Sequence, residues 1–496
     1  MHQHKAIVIG SGVAGLATAI RLSVQGFETT VFERNSYPGG KLSLIEKEGY
    51  RFDAGPSLFT QPQNIEQLFN DADENIESYF QYSNVPLSCR YFYDDGKVLN
   101  AYTDAQQFEH ELQQVMGEEP GSLSRYLAKS KKLYESIGAV FLNNSLHKRK
   151  TWLQPSIMKA LGNVKFPYLF GTLHGYNQQQ FYNPQTIQLF NRFATYNGSN
   201  PYQTPGMMSL IPHLELNEGT FYPKGGMISI TNALYQLALK KGVRFEFNSS
   251  VQNIIQHQGK VKGVVVNDEN YFADAVVSNA DVYFTYRNLL KDESKSTRLL
   301  KQERSCSGVI FYWGMKKEFP QLHLHNIFFS GNYKAEFDFI FKRKQLYSDP
   351  TVYVNITSKM EAGQAPEKKE NWFVLINAPA HTQQNWEQVK QELKQNIIQK
   401  ISKVLNENIG DAIELEETLD PITIENRTGS YLGALYGTSS NNRMAAFKRH
   451  PNFLSSVKGL YFCGGSVHPG GGIPLCFKSA EIVSKLVASD YKIKTH

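Results

Sequence analysis

The chain lacks several features that mark whole protein classes. It has only 4 cysteines in 496 residues. Cys89, Cys306, Cys463 and Cys476 form no CxxC and no zinc-type spacing, so neither a disulfide framework nor a cysteine metal site is expected, and they read as the reduced thiols of a cytosolic protein. No stretch approaches the ~20 apolar residues of a membrane-spanning helix. The uncharged run 6–20 has the look of a signal-peptide core but is too short to span a bilayer, and its glycines serve another purpose. The net charge of +6, from 52 basic and 46 acidic residues, is too small and too dispersed for a nucleic-acid surface, though it is compatible with a weak pull toward anionic lipid. There is no internal repeat and no low-complexity linker.

Aromatic residues, by contrast, are plentiful, at 12% with 31 Phe and 27 Tyr. Either a generous core or a large apolar ligand surface would use them. A chain of this length exceeds one hydrophobic core, so two or three domains are expected.

The first four apolar residues in a row, Ala6-Ile7-Val8-Ile9, read as a buried parallel strand. A glycine turn follows, then a helix over 12–25 closed by Gly26, then a second strand over 28–32. Between strand and helix lies Gly10-Ser11-Gly12-Val13-Ala14-Gly15. Gly10 permits the tight turn, Gly12 lets a pyrophosphate approach the backbone, and Gly15 lets helix and strand pack closely, with the helix N-terminus facing the phosphate charge. Glu33 ends the second strand, where it would accept hydrogen bonds from a ribose. The nucleotide is NAD or FAD on this evidence. Two further features favour FAD: Pro38-Gly39-Gly40-Lys41 follows the acidic residue closely, and a second glycine loop lies near the C-terminal end. No second GxGxxG occurs, so a separate nicotinamide unit is not expected.

Further along, 105–180 reads as mainly helical, with breaks at Pro120, Pro155 and Pro167. Within it, 147–170 mixes Lys148, Arg149, Lys150, Lys159 and Lys165 with aromatic and aliphatic residues, and Leu153, Ile157 and Leu161 share one helix face. This segment reads as a membrane-resting helix or as an ordinary amphipathic one. Strand-like runs occupy 243–247, 251–255, 261–266, 275–277, 308–313, 351–356 and 372–378. Helices are expected to 241, over 382–405 and over 478–488.

Glu33-Arg34 through Gly39-Gly40-Lys41, the run 49–57 ending Gly55-Pro56-Ser57, the middle segment 222–227, and the glycine-rich run 459–476 together resemble the bacterial-type phytoene desaturases, the carotenoid-desaturase branch of the flavin amine oxidase superfamily. The resemblance implies an α/β fold with an α+β substrate region. A Rossmann-like FAD-binding domain, discontinuous in sequence (1–75, 220–290 and 425–496), would accompany a mixed-sheet substrate domain (76–104 and 291–424) and a helical, membrane-facing region (105–219). It further implies that Gly10, Gly12, Val13, Ala14 and Gly15 hold the pyrophosphate, and that Glu33 holds the adenosine ribose with Arg34 beside it. Gly40, Lys41, Gly55, Pro56 and Ser57 would lie near the flavin or its phosphate, Val251 would pair its backbone with adenine, and Gly464, Gly465, Gly472, Ile473 and Pro474 would close over the flavin end.

Ser466-Val467-His468-Pro469 followed by Leu475-Cys476 looks most like the 3,4-desaturases of hydroxylated or monocyclic carotenoids, with phytoene and diapophytoene desaturases, or another FAD-dependent polyene or amine oxidoreductase, as alternatives. A polyene carbon has no neighbouring carbonyl to acidify it, so loss of a hydride to FAD should precede loss of a proton. The implied partners are a carotenoid, the inner face of the cell membrane as a peripheral surface, and oxygen or a quinone as electron acceptor. No nucleic acid or metal is implied, and no catalytic side chain is assigned. His468 is expected to fix its loop by hydrogen bonds rather than to catalyse, Asp53 to cap a turn, and the His323–His325 pair to lack the further ligands that a metal needs.

Overall fold

The computed structural model describes residues 3–155, 168, 170–381 and 383–493. A five-stranded parallel sheet runs in the order Leu460–Phe462, Ala275–Ser278, Lys5–Ile9, Glu28–Phe32, Arg244–Glu246. Its strands come from the start, the middle and the end of the chain. Side chains alternate across it, as a pleated strand requires. Ala6 and Val8 pack with the helices Val13–Val24, Ile228–Lys240 and Ile473–Tyr491 on one face. Ile7 and Ile9 pack on the other face with the antiparallel meander Val251–His257, Lys260–Val266 and Glu269–Phe272. Both faces are covered, which explains why these strands read as unbroken apolar runs. Burying each Val or Ile in this way contributes about 1.5–3 kcal/mol.

A second sheet has seven strands, in the order Ile413–Leu419, Ser307–Met315, Glu370–Ala378, Val352–Ile356, His325–Phe328, Leu87–Phe92, Val98–Tyr102. All its pairs are antiparallel except His325–Phe328 with Leu87–Phe92. Alternation again decides the two faces. Val309, Phe311 and Trp313, with Trp372, Val374 and Ile376, pack under the helix Trp386–Leu405. Ile310, Tyr312, Phe373 and Leu419 form the opposite face. Above that face lie the short helices of 105–217, packed on an aromatic core in which the Phe181 and Phe190 rings stack at 4.4 Å.

Two helix boundaries differ from the sequence reading. The last helix begins at Ile473, not at 478, because Pro474 is tolerated in a first turn, where no backbone N–H partner is needed. The Trp386–Leu405 helix starts where the Asn385 side chain accepts from the Gln388 N–H, a cap that a start at 382 would bypass. The amphipathic reading of 147–170 falls largely outside the described residues. Of it, Arg149–Trp152 is helical and Leu153 is exposed.

Gly15 shows how tightly the first helix sits on its strand. A Cβ there would lie 2.1 Å from the Gly10 carbonyl oxygen. Overpacking of this kind costs about 1–3 kcal/mol, and a backbone obstacle places Gly15→Ala at the upper end. Its urea midpoint should fall accordingly, and an unchanged midpoint would contradict this packing.

Candidate active site

One cavity of about 630 Å³ runs between the two sheets, within the roughly 300–1,000 Å³ of small-molecule sites. Every residue assigned to nucleotide binding from the sequence lines it, except Gly15, which is buried beneath the turn. Gly15 therefore acts through packing rather than contact. Two helices, Val13–Val24 and Ile473–Tyr491, begin at the cavity wall, and neither has a side-chain cap. Their first N–H groups have no partner within the helix and carry the positive end of the helix dipole, which suits a pyrophosphate. Glu33 is buried, and its carboxylate accepts from the Ser11 N–H and hydroxyl at 2.8 Å each and from the Asn35 N–H at 2.9 Å. Of about four lone-pair directions on a carboxylate, this leaves about one for a ribose hydroxyl. The donor set thus fits a dinucleotide. Val251 opens its strand at the same wall, and Arg34 donates to the Asn426 carbonyl at 2.7 Å.

At the other end of this half, Gly55 packs on the Lys41 carbonyl so closely that a Cβ would lie 1.9 Å from its oxygen. The Lys41 ammonium donates to the Leu435 carbonyl at 2.8 Å, and burial lowers its pKa. Three residues that the sequence reading missed hold this end together. Asn279 stands against Gly12 and Gly464 and donates to the Cys463 carbonyl at 3.2 Å. Arg449 is buried and donates to the carbonyls of Tyr436 and Gly465 at 3.1 Å and of Thr438 at 2.9 Å. Burial pushes its guanidinium down to about 10. Tyr436 fills the space that a Cβ at Gly471 would need.

His468 is tied down, as the loop-fixing reading expects. Its Nε2 hydrogen-bonds the Asn144 carbonyl at 2.9 Å, so it carries the proton there, and burial pushes the imidazole down to about 4. Asp53 caps a remote helix rather than a local turn. It accepts from the Met227 and Ile228 N–H groups at 2.9 and 3.1 Å, and burial raises it to about 6. The four cysteines are unpaired, and burial raises the Cys476 thiol, which lines the cavity, to about 11. Among the described residues no group of His, Cys, Asp or Glu could hold a metal.

The second half of the cavity is walled by Ile310, Ile327, Phe373, Leu375 and Leu419 from the seven-stranded sheet and by Phe141, Met207, Leu210 and Leu214 from the helical layer. Its few polar residues include Ser57, Ser88, Arg192, Glu215, His325 and Tyr353. Apart from Ser57, none of these was assigned to ligand binding from the sequence, and His325 had been weighed only as a metal ligand. Their partners lie far apart in the chain, which leaves no local signal.

Comparison with known proteins adds the following. Residues 13–488 match the family described as flavin containing amine oxidoreductase. The 1-hydroxycarotenoid 3,4-desaturase of Flavobacterium sp. (strain P99-3) is 50% identical, covering 97% of this chain and 99% of that protein. The 4,4'-diaponeurosporene oxygenase of Staphylococcus haemolyticus is 30% identical, covering 100% of this chain and 99% of that protein. A crystal structure of an oxidoreductase from Methanosarcina mazei superposes with a TM-score of 0.64 at 15% identity, covering 98% of this chain and 100% of that one, which reports the fold.

Two outcomes are expected from this geometry. A Cβ at Gly12 would meet only the Asn279 side chain, whose Oδ1 would lie 2.7 Å away, and the methyls of Gly12→Val add bulk where the pyrophosphate must approach. The variant should fold but purify without flavin, and full flavin occupancy would refute the pyrophosphate placement. For His468, the unfolded imidazole takes up a proton near 6.5 and the folded one only near 4. The unfolded state therefore binds more protons between these values, and stability falls as pH drops through that window. His468→Asn should flatten the fall in urea midpoint from pH 6.5 to 4, leaving the part due to the other buried histidines, with His450 lowered by burial to about 4 and His325 to about 3. A slope equal to wild type would contradict this.

Proposed function

Because the chain belongs to the flavin-containing amine oxidoreductase family, and within it to the carotenoid desaturases, we propose that it is an FAD-dependent enzyme that introduces a trans C=C bond at the 3,4 position of a 1-hydroxylated or monocyclic carotenoid. The observation that carries this reading is the single cavity joining a dinucleotide cradle to an apolar sheet face. The 50% identity to a 1-hydroxycarotenoid 3,4-desaturase favours that substrate over phytoene or diapophytoene.

When bound between the two uncapped helices and the 464–474 loop, FAD supplies acceptance of a hydride from a CH–CH unit. The protein holds the polyene flat against the Ile310, Phe373 and Leu375 face and keeps water out. Loss of a hydride leaves an allylic cation spread over the polyene, whose neighbouring proton is acidic enough to leave without a strong base. His468 is neutral, and its Nε2 proton is engaged with Asn144. Glu215, the carboxylate on the polyene side, is held by Ser88, Tyr196 and Arg192. Lacking a second glycine fingerprint for a nicotinamide unit, the enzyme passes electrons to oxygen or a membrane quinone in this reading.

We further propose that the protein works at the inner face of the cell membrane, as a peripheral one. Among the described residues no helix is long and apolar enough to cross a bilayer. Support comes from the basic run Lys148-Arg149-Lys150 and from Leu153 and Phe170 within the same basic, aromatic stretch, which are 77% and 46% exposed. A juxtamembrane cation contributes ~1 kcal/mol on an anionic surface, so replacing all three basic residues by Glu should weaken partition into anionic liposomes by roughly 100-fold. Unchanged co-sedimentation would remove this segment from the membrane contact.

The substrate is tested by product analysis. Holoenzyme supplied with liposomes containing a 1-hydroxylated acyclic carotenoid, γ-carotene, phytoene or diapophytoene should remove two hydrogens from the first two and lengthen their conjugation. Turnover of phytoene or diapophytoene instead would move the assignment to those desaturases, and insertion of oxygen would move it to the oxygenases.

A further inference from the structure

The polar residues of the apolar half form two hydrogen-bonded groups in one cavity wall, one around Arg192 and Glu215 and one around His325 and Tyr353. Arg192 donates to Glu215 at 3.0 Å and to the Tyr196 hydroxyl at 2.8 Å, and the Ser88 hydroxyl donates to Glu215 at 2.9 Å. His325 lies in the same wall at the start of its strand, 3% exposed. Its Nδ1 faces the Tyr353 hydroxyl at 2.8 Å and the Asn355 amide nitrogen at 3.1 Å. An amide N–H only donates, so Nδ1 is the acceptor and the ring proton sits on Nε2. Burial, with the Arg192 charge nearby, pushes this imidazole down to about 3, so it is neutral and keeps that single proton.

His325 Nε2 and Arg192 Nε are both buried and have no hydrogen-bond partner among the described residues. Two unmet donors beside an apolar ligand cavity are unusual, because buried polar groups are almost always paired. A hydrocarbon end group would leave them unmet, whereas an oxygen on the ligand would satisfy one or both.

Their position matters as much as their chemistry. The Tyr353 hydroxyl that bonds His325 also bonds the Ser57 hydroxyl at 2.9 Å. Ser57 belongs to the loop whose Gly55 packs on Lys41, at the junction between the nucleotide half and the apolar half. His325 thus sits two hydrogen bonds from that junction rather than at the far end of the cavity.

We propose that His325, supported by Arg192, is a specificity-determining site that hydrogen-bonds the hydroxyl at one end of the carotenoid and thereby sets which C–C bond lies at the junction. This rests on the desaturase reading above. In a 1-hydroxylated chain the carbinol carbon is two bonds from C3, so an anchor beside the junction brings the 3,4 bond to it while the rest of the polyene extends along the apolar face. The same anchor makes a chain without the hydroxyl, γ-carotene included, a poorer substrate rather than an excluded one, because the donors then stay desolvated and unpaired.

The test compares a 1-hydroxylated acyclic carotenoid with the same chain lacking the hydroxyl, both in liposomes, with holoenzyme. The readouts are kcat/KM and the affinity for the hydroxylated product, measured by the shift of its polyene absorption. Wild type should prefer the hydroxylated chain. His325→Leu should lower that preference by roughly 10-fold to 100-fold, mainly through KM and product affinity, and leave the weak turnover of the unhydroxylated chain in place. His325→Gln, which keeps an N–H donor, should recover most of the preference. The anchor is overturned if His325→Leu is active with an unchanged ratio, if it loses both substrates equally while retaining flavin, or if wild type itself handles both chains alike. The last outcome needs no variant to fold. If wild type turns over neither carotenoid, the desaturase reading falls and takes the anchor with it.

Discussion

Two helix N-termini left without side-chain caps set the terms for the rest of the molecule. The helices Val13–Val24 and Ile473–Tyr491 present unpaired N–H groups to one cavity. Such groups are stable only when an anion or water meets them. Bringing them together requires the chain's first strand and its last to lie in one parallel sheet, with Ala275–Ser278 between them. The glycines follow from the same requirement. Gly15 lets the first helix come down onto its strand, and Gly472, with φ of +110°, turns the chain into the last one. The Arg449 guanidinium, bonded to three carbonyls, then fixes the loop that closes this end.

The second sheet supplies what the first lacks. Alternation along Ser307–Met315 and Glu370–Ala378 gives one face to the Trp386–Leu405 helix and leaves the other as an apolar wall. A hydrocarbon lying on that wall is held by buried area, which tolerates sliding along its length, rather than by directional bonds. Register then has to come from a polar contact at an end. His325 and Arg192 are cavity-lining residues with donors to spare among the described residues, and the Tyr353–Ser57 link couples His325 to the nucleotide side. Cofactor binding and choice of bond are in this way tied through few residues.

Much of the nucleotide half was legible because its signals are local. The strand, the glycine turn, the helix and the closing Glu33 follow one another within a single β-α-β unit, and the 464–474 loop announces itself by composition. The parts that were missed depend on distance. Arg192 meets Glu215, and Tyr353 meets Ser57, only after the whole chain has folded. Asp53 was read as a turn cap because its neighbours suggest one, yet the N–H groups that it accepts belong to Met227 and Ile228. His325 drew notice through its spacing from His323, and its meaning came instead from Tyr353 and Asn355 on the neighbouring strand. The sequence reading starts the last helix at 478, whereas Pro474 already lies in its first turn.

The central claim is that one cavity brings FAD and a hydroxylated polyene into direct redox contact. The most direct test is anaerobic titration of the purified flavoprotein with liposomes carrying a 1-hydroxylated acyclic carotenoid, following flavin and polyene absorption together. The account predicts that the oxidised-flavin band bleaches in step with a red shift of the polyene, one double bond for each flavin reduced. A polyene that shifts while the flavin stays oxidised, or a flavin that stays oxidised over an unchanged polyene, would contradict it.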